Sequence, residues 1–279
     1  CADPIRLLNP IASQMGVMRS SLIGSLLQVV KHNTDRRADW MRLFEVGRVF
    51  RRDVGVTASD HDVQGIAQPM RVAGVVYGPA GRQGWEGKQP QADFFDVKGD
   101  VEALLGPRQP VFECAEHPAL HPGRAARVVV DGQPVGVLGE LHPRWRQTWE
   151  LPHAPVLFEL DLDAVLARPL PRAQPVPRQQ AAERDIAVVV KESVTYAQLM
   201  AAVRVAPTGG LLRAATLFDM YRPKLSNEDT AGMAAGDKSL AVRLVLGSDD
   251  ETLTDERIEA TVQSIISQLQ NDLGARLRG

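Results

Sequence analysis

Asp219 and Tyr221 stand two residues apart in the run TLFDMYRPK (216–224), and no other pair in the sequence is better suited to act together on a ligand. Thr216, Leu217, Phe218, Met220 and Tyr221 favour a strand, and successive strand side chains point to opposite faces. The carboxylate and the phenol therefore share a face. A phenol ring offers a surface for stacking, and a carboxylate accepts hydrogen bonds from a planar donor edge. Together they suit an unpaired nucleic-acid base. Strict alternation over 211–222 sends Leu212, Ala214, Thr216, Phe218 and Met220 to the core and Leu211, Arg213, Ala215, Leu217, Asp219 and Tyr221 outward. Over 238–247, Leu240, Val242, Leu244 and Leu246 turn inward, leaving Ser239, Ala241, Arg243 and Val245 outside. The uncovered face would then present Arg213, Asp219, Tyr221, Ser239 and Arg243. Mixed polar and apolar residues are also ordinary on the solvent side of an antiparallel sheet. A regulatory domain of the same topology that binds a small molecule fits the pattern as well.

Other chemistry-bearing clusters point nowhere definite. His117 and His121 in EHPALHP have the i, i+4 spacing of some zinc sites, with Cys114 close by, but no third and fourth ligand is in view. DDETLTDE (249–256) lacks the glycine and ligand spacing of a calcium loop, and GRQGWEGKQP (81–90) lacks the Gly-Lys-Ser/Thr ending of a phosphate loop. Trp40, Trp85, Trp145 and Trp149 read as core or interface anchors.

The elements that must hold these residues fall into two units. ARPLPRAQPVPRQQAAER (167–184), with four prolines and four arginines, reads as an extended polyproline-like linker. After it, a strand at 184–190, a helix at 195–206, strands at 211–222 and 238–247, a helix at 254–274 capped by Thr254, and a final short strand ARLR give the order βαββαβ. That is the ferredoxin-like split βαβ, with both helices on one sheet face and the other face open. Before the linker, Leu22, Ile23, Leu26, Leu27 and Val30 predict a helix over 19–33 with Ser20 or Ser21 as N-cap. Strands are predicted over 40–52, 70–78 and 154–166, with a hairpin over 124–141 turning at Asp131-Gly132 and a turn or short strand leading into a helix over 93–106. The fold class is α+β, an antiparallel sheet with helices packed on it.

Bulk properties narrow the function. Of 279 residues, 44% are hydrophobic and 24% charged, with a formal net charge of −2. Residues 184–279 carry 11 basic and 13 acidic side chains, so any RNA contact must be local and shape-driven rather than bulk electrostatic. Two cysteines, Cys1 and Cys114, make no disulfide framework, which suits a reducing cytoplasm. No apolar run nears the roughly 20 residues that cross a bilayer, so no membrane partner is expected. The start CADPIRLLNP has no Met and no leader pattern and reads as a piece of a longer chain.

RDIAVVV, LFDMY, KSLAVRL, TLTDERIEA and LGARLRG, in this order, resemble the ferredoxin-fold anticodon-binding domain that ends the β subunit of bacterial phenylalanyl-tRNA synthetases. Upstream, LLNPIASQMGVMRSSLIGSLLQVVKHN, RLFEVGRVF, FFDVKGDVEALL, HPALHPGRAARV and GVLGELHP resemble the synthetase-like core module that precedes it. The resemblance implies a catalytically inert class II synthetase-like module over 1–166, a linker over 167–183 and the anticodon-binding domain over 184–279. It implies a share in the ATP-dependent attachment of phenylalanine to tRNA(Phe), within a tetramer of two α and two β subunits. ATP and Mg2+ would serve the whole enzyme and none would be bound by this fragment; editing and magnesium sites would lie outside it. RLFEVGRVFR resembles the motif-2 strand, with Arg42 and Glu45 expected to keep only a packing role. The motif-3 arginine pattern is missing, since no GxG occurs. By matched motif, Tyr221 would stack on a base and Asp219 would accept from a base edge. Ser239 would bond base or sugar, Lys238 and Arg243 would meet phosphates, and Arg184 would reach RNA or cap the sheet. RPKLSNEDTAGMAAGD (222–237) is longer than the family's usual hairpin.

Overall fold

The computed structural model describes residues 3–278 apart from 13–14, 61, 82–83, 86, 88, 171–172, 174–178, 224–232 and 235. The chain divides into two units, Cys1–Pro171 and Arg172–Gly279. Pro171, Pro175 and Pro177 of the linker lie outside the described residues, and so does most of the 222–237 insertion.

The first unit opens with α1 (Ile23–Thr34), whose Ile23, Leu26, Leu27 and Val30 form one buried stripe. There follow β1 (Met41–Arg48), a small pair β2 (Arg51–Arg52) and β3 (Ile66–Ala67), β4 (Met70–Tyr77) and α2 (Phe94–Leu105). Then come β5 (Val111–Cys114), β6 (Leu120–Val130), β7 (Gln133–Leu141), α3 (Pro143–Thr148), β8 (Val156–Asp161) and α4 (Leu162–Leu166). Six of the strands form an antiparallel sheet in the order β1-β4-β8-β7-β6-β5. One face packs on α1 through Leu27, Val30, Ala73, Val75 and Leu157, the other on α2 through Val97, Val101, Leu138, Phe158 and Leu160. The central strand β4 is therefore buried on both faces and reads as an almost continuous apolar run. The β6–β7 hairpin turns where predicted, with Asp131 at φ 50° and Gly132 at φ 76°, the positive dihedrals a two-residue primed turn requires.

Four local readings change, the first being the strand over 40–52, which is broken at 49–50 into β1 and β2 in different sheets. The stretch 154–166 is not one strand: the Asp161 side chain accepts from the backbone N–H of Asp163 and turns the last five residues into α4. The N-terminus of α1 is not capped by Ser20 or Ser21 acting alone. The buried Glu159 carboxylate of β8 accepts from Leu22 N–H at 2.9 Å and from the Ser21 hydroxyl, placing a negative charge at the helix's positive end. The short elements β5 and α3, four and six residues long, have no counterpart in the sequence pattern because so few residues carry no measurable period.

The second unit comprises β9 (Ala182–Lys191), α5 (Tyr196–Val205), β10 (Leu212–Tyr221), β11 (Asp237–Leu246), α6 (Asp255–Leu273) and β12 (Arg276–Leu277). The sheet order is β10-β11-β9-β12 with every neighbour antiparallel, the split βαβ arrangement. Thr195 and Gln198 form a capping box on α5, and Thr254 caps α6. Gly274 ends α6 at φ 61°, the left-handed turn that lets β12 fold back beside β9. Val188, Leu199, Val203, Leu240, Val242, Leu244, Ile265 and Leu269 fill the space between this sheet and its two helices.

Candidate nucleic-acid interface

The open face of the second unit is set by the phase of β10 against β11, and that phase is broken twice. Pairing shifts between Leu212 and Ala214 and again between Leu217 and Asp219. Each shift is a β-bulge, in which one extra residue inverts the facing of everything beyond it. Between the bulges the predicted faces are exchanged. Ala215 and Leu217 pack on the core, while Ala214 and Thr216, paired with Val245 and Arg243, turn outward. The second bulge restores the original phase. Asp219 pairs with Ala241 and Tyr221 with Ser239, both on the face away from the helices, whereas Met220 pairs with the core residue Leu240.

Phe218 occupies the second bulge. Alternation assigned it to the core; it is instead 52% exposed, with its ring 5.3 Å from the Arg243 guanidinium. Arg243 in turn grips Asp185 on β9 through two bonds of 2.9 Å, with Glu183 at 3.8 Å. This bidentate contact lowers the Asp185 pKa and raises that of Arg243. Arg243 is thus fixed in place and largely neutralised, a flat partner for a ring more than a free cation for phosphate.

Tyr221 carries an arginine as well. The Arg278 guanidinium of the C-terminal segment lies 5.0 Å from the Tyr221 ring centroid. Tyr221, Ser239 and Val189 are aligned across β10, β11 and β9, and the neighbouring row is Asp219, Ala241 and Ala187. Ala241 and Ala187 are small, and Ser239 is only 3% exposed. Asp219 is exposed and accepts from the Met220 N–H at 2.8 Å. At the start of β11, the Asp237 carboxylate, 1% exposed, accepts from Lys191 and Arg276 at 2.8 Å each and from Ala234 N–H at 3.1 Å. The Lys191 bond is the main cause of its lowered pKa, with the Ala234 bond next. This cluster anchors the chain where it leaves the inserted loop.

Two of the sequence-derived residues do not join this face, and a third is held in contacts of its own. Lys238 follows Ser239's opposite phase: it is 8% exposed, and its ammonium donates to the Glu192 carbonyl at 2.8 Å. Arg184 points toward the helices and pairs with Asp255 at 3.5 Å and Glu259 at 3.6 Å on α6, which is the sheet-capping role of the two considered for it. Arg213 sits in the first bulge, bonded to the Gly247 carbonyl at 3.2 Å and to Asp249 at 2.8 Å. Conversely, Phe218, Arg276 and Arg278 were missed. The terminal ARLR run already spaces its two arginines for one strand face; what was not legible is the strand beside which it docks.

The first unit holds a cavity of about 1010 Å³ walled by Ile23, Leu27, Trp145 and Trp149 over Arg71 and Glu159. Glu159 caps α1, while Arg71 faces Asp161 at 3.7 Å and keeps its buried Nε without a hydrogen-bond partner. Arg42 and Glu45 of β1 lie on opposite faces, one paired with Asp100 at 3.4 Å and the other with Arg19, so they do not converge on a common ligand. His117, His121 and His142 each precede a proline, and each ring Nδ1 accepts the backbone N–H two residues on, at 3.3, 3.0 and 3.0 Å. Proline supplies no N–H of its own, so the imidazole closes the turn on the next one. Burial lowers the His117 pKa further toward the neutral form. Among the described residues no group of three or more His, Cys, Asp and Glu side chains could hold a metal.

The family model described as "Phenylalanyl tRNA synthetase beta chain CLM domain" matches residues 2–162, and that described as "Ferredoxin-fold anticodon binding domain" matches 177–278. The phenylalanine–tRNA ligase beta subunit of Ralstonia nicotianae is 54% identical over 280 residues, 99% of this chain and 34% of that protein. The corresponding subunits of Cupriavidus pinatubonensis and Burkholderia lata are 50% and 49% identical, again over 99% of this chain and 34% of theirs.

Proposed function

Because the chain belongs to the phenylalanyl-tRNA synthetase beta chain family, we propose that it scaffolds the α subunit through its first unit and binds the tRNA(Phe) anticodon through its second. It spans 34% of the length of its relatives, and the activity it serves is that of the assembled ligase, an α2β2 tetramer joining phenylalanine to tRNA with ATP and Mg2+. Adenylation and transfer belong to the α subunit's site, in the cytoplasm. This chain supplies no step of that chemistry. In support of that division, Arg42 and Glu45 are diverted into separate ion pairs on opposite faces.

The observation that carries the RNA reading is the second bulge in β10, which returns the Asp219–Tyr221 pair to the helix-free face. Tyr221 stacks on an unpaired base, and the exposed Asp219 carboxylate accepts hydrogen bonds from its edge, most simply the Watson–Crick edge of guanine. Arg243 and the C-terminal arginines border the pair. Specificity is then a matter of shape and edge contacts, consistent with a unit that has no excess of basic residues. Binding of tRNA(Phe) transcripts with and without anticodon substitutions tests the reading. Wild-type tRNA should bind tightest, and equal affinity for all anticodons would overturn it.

A further inference from the structure

We propose that the open face holds a second base-binding subsite, formed by Phe218 stacked against Arg243, so that it takes two unpaired bases rather than one. The proposal rests on the anticodon reading above and deepens it. In an uninterrupted strand, residues 218 and 221 point to opposite faces, because three steps invert the side-chain direction. The bulge between Leu217 and Asp219 cancels that inversion and brings both rings to one side. Phe218 is 52% exposed although it is a large apolar residue lying against a sheet. Its ring has been lifted out of the core by a bulge, the kind of device that re-aims a side chain at a functional surface.

The partner of Phe218 is preorganised. Arg243 is locked by Asp185 on β9 through paired 2.9 Å bonds, and its guanidinium lies 5.3 Å from the ring centroid. A half-exposed aromatic ring with a fixed planar cation over one face is a sequence-tolerant platform for a base on its other face. The two subsites cannot share one base. Three strand residues at about 3.3 Å each separate their anchors by about 10 Å, roughly three times the 3.4 Å step between stacked bases. The face therefore takes adjacent bases splayed apart from each other, the presentation that single-stranded loops allow and duplexes forbid.

The test uses the 279-residue chain and an RNA hairpin carrying the phenylalanine anticodon loop, with 2-aminopurine placed singly at each anticodon position. Stacking on an aromatic ring quenches the probe, so binding should quench two positions. Phe218→Leu should abolish the quench at one of them and weaken binding about tenfold. Tyr221→Leu should abolish the quench at the neighbour, and Phe218→Tyr should retain both. Thermal unfolding of each variant verifies that the unit remains folded. A Phe218→Leu variant that keeps affinity and every quench, while Tyr221→Leu loses binding, overturns the second subsite and leaves the anticodon reading standing. If neither substitution alters binding, the anticodon reading fails and the subsite with it.

Discussion

Replacing Tyr221 by Ala should weaken anticodon binding less than stacking alone suggests, because Arg278 already occupies the ring. Base–aromatic stacking is worth about 1–3 kcal/mol per base. With the guanidinium 5.0 Å from the ring centroid, no gap remains for a base about 3.4 Å thick to slide between them. An entering base must displace Arg278 and forfeit that cation–π contact, about 0.5–1 kcal/mol at an exposed site. The net loss in Tyr221→Ala is then about 0.5–2 kcal/mol, a roughly 2- to 30-fold rise in Kd. In an Arg278→Ala background nothing needs displacing, and the same substitution should cost the full stacking energy, about 5- to 150-fold. Fluorescence anisotropy with a labelled anticodon hairpin measures all four corners of this double-mutant cycle. Measuring at two salt concentrations separates the charge of Arg278 from its stacking role. A positive coupling, with the Tyr221 effect larger when Arg278 is absent, is the expected sign. Zero coupling means the base never meets the guanidinium. A negative coupling means Arg278 and Tyr221 hold the base between them, and the displacement argument is wrong.

Three further outcomes follow from named contacts. Glu159→Ala strips two donors at the start of α1 of their buried acceptor and should lower the stability of the first unit by about 2–3 kcal/mol in chemical denaturation. Lys238→Met should leave the salt dependence of RNA binding unchanged, since the ammonium is spent on the Glu192 carbonyl; a shallower slope in log Kd against log salt would place it on a phosphate after all. The carboxylates of Asp185 and Asp237 have pKa values lowered chiefly by their bonds to Arg243 and Lys191. Their contribution to stability is therefore complete above the ordinary carboxylate pKa of about 4 and is lost as pH falls through the lowered folded-state values. Between neutral pH and the acid range the wild-type second unit should lose more stability than a variant with both carboxylates replaced by Asn, whose stability curve should be flatter and lie at or below that of the wild type.

The sequence by itself determined the parts of this protein that repeat with a period. The stripe of α6, the alternation of β11 and the Asp131-Gly132 turn each state their conformation locally, because helix and strand periods and turn dihedrals are properties of a few consecutive residues. The βαββαβ order and the pairing of Asp219 with Tyr221 on one face were legible in the same way. Only the tertiary structure decided what sits around that pair. Bulges are defects of pairing between two strands, so β10 alone gave no sign that it would invert at Arg213 and revert at Phe218. The faces of Ala214 through Phe218 were misassigned for that reason, while Asp219 and Tyr221 came out correctly because the two inversions cancel. Glu159 reached the start of α1 from 138 residues away, and Arg278 reached Tyr221 from the far edge of the sheet. A cap or stack made at that sequence separation has no local signature; it exists only once the sheet has set its register.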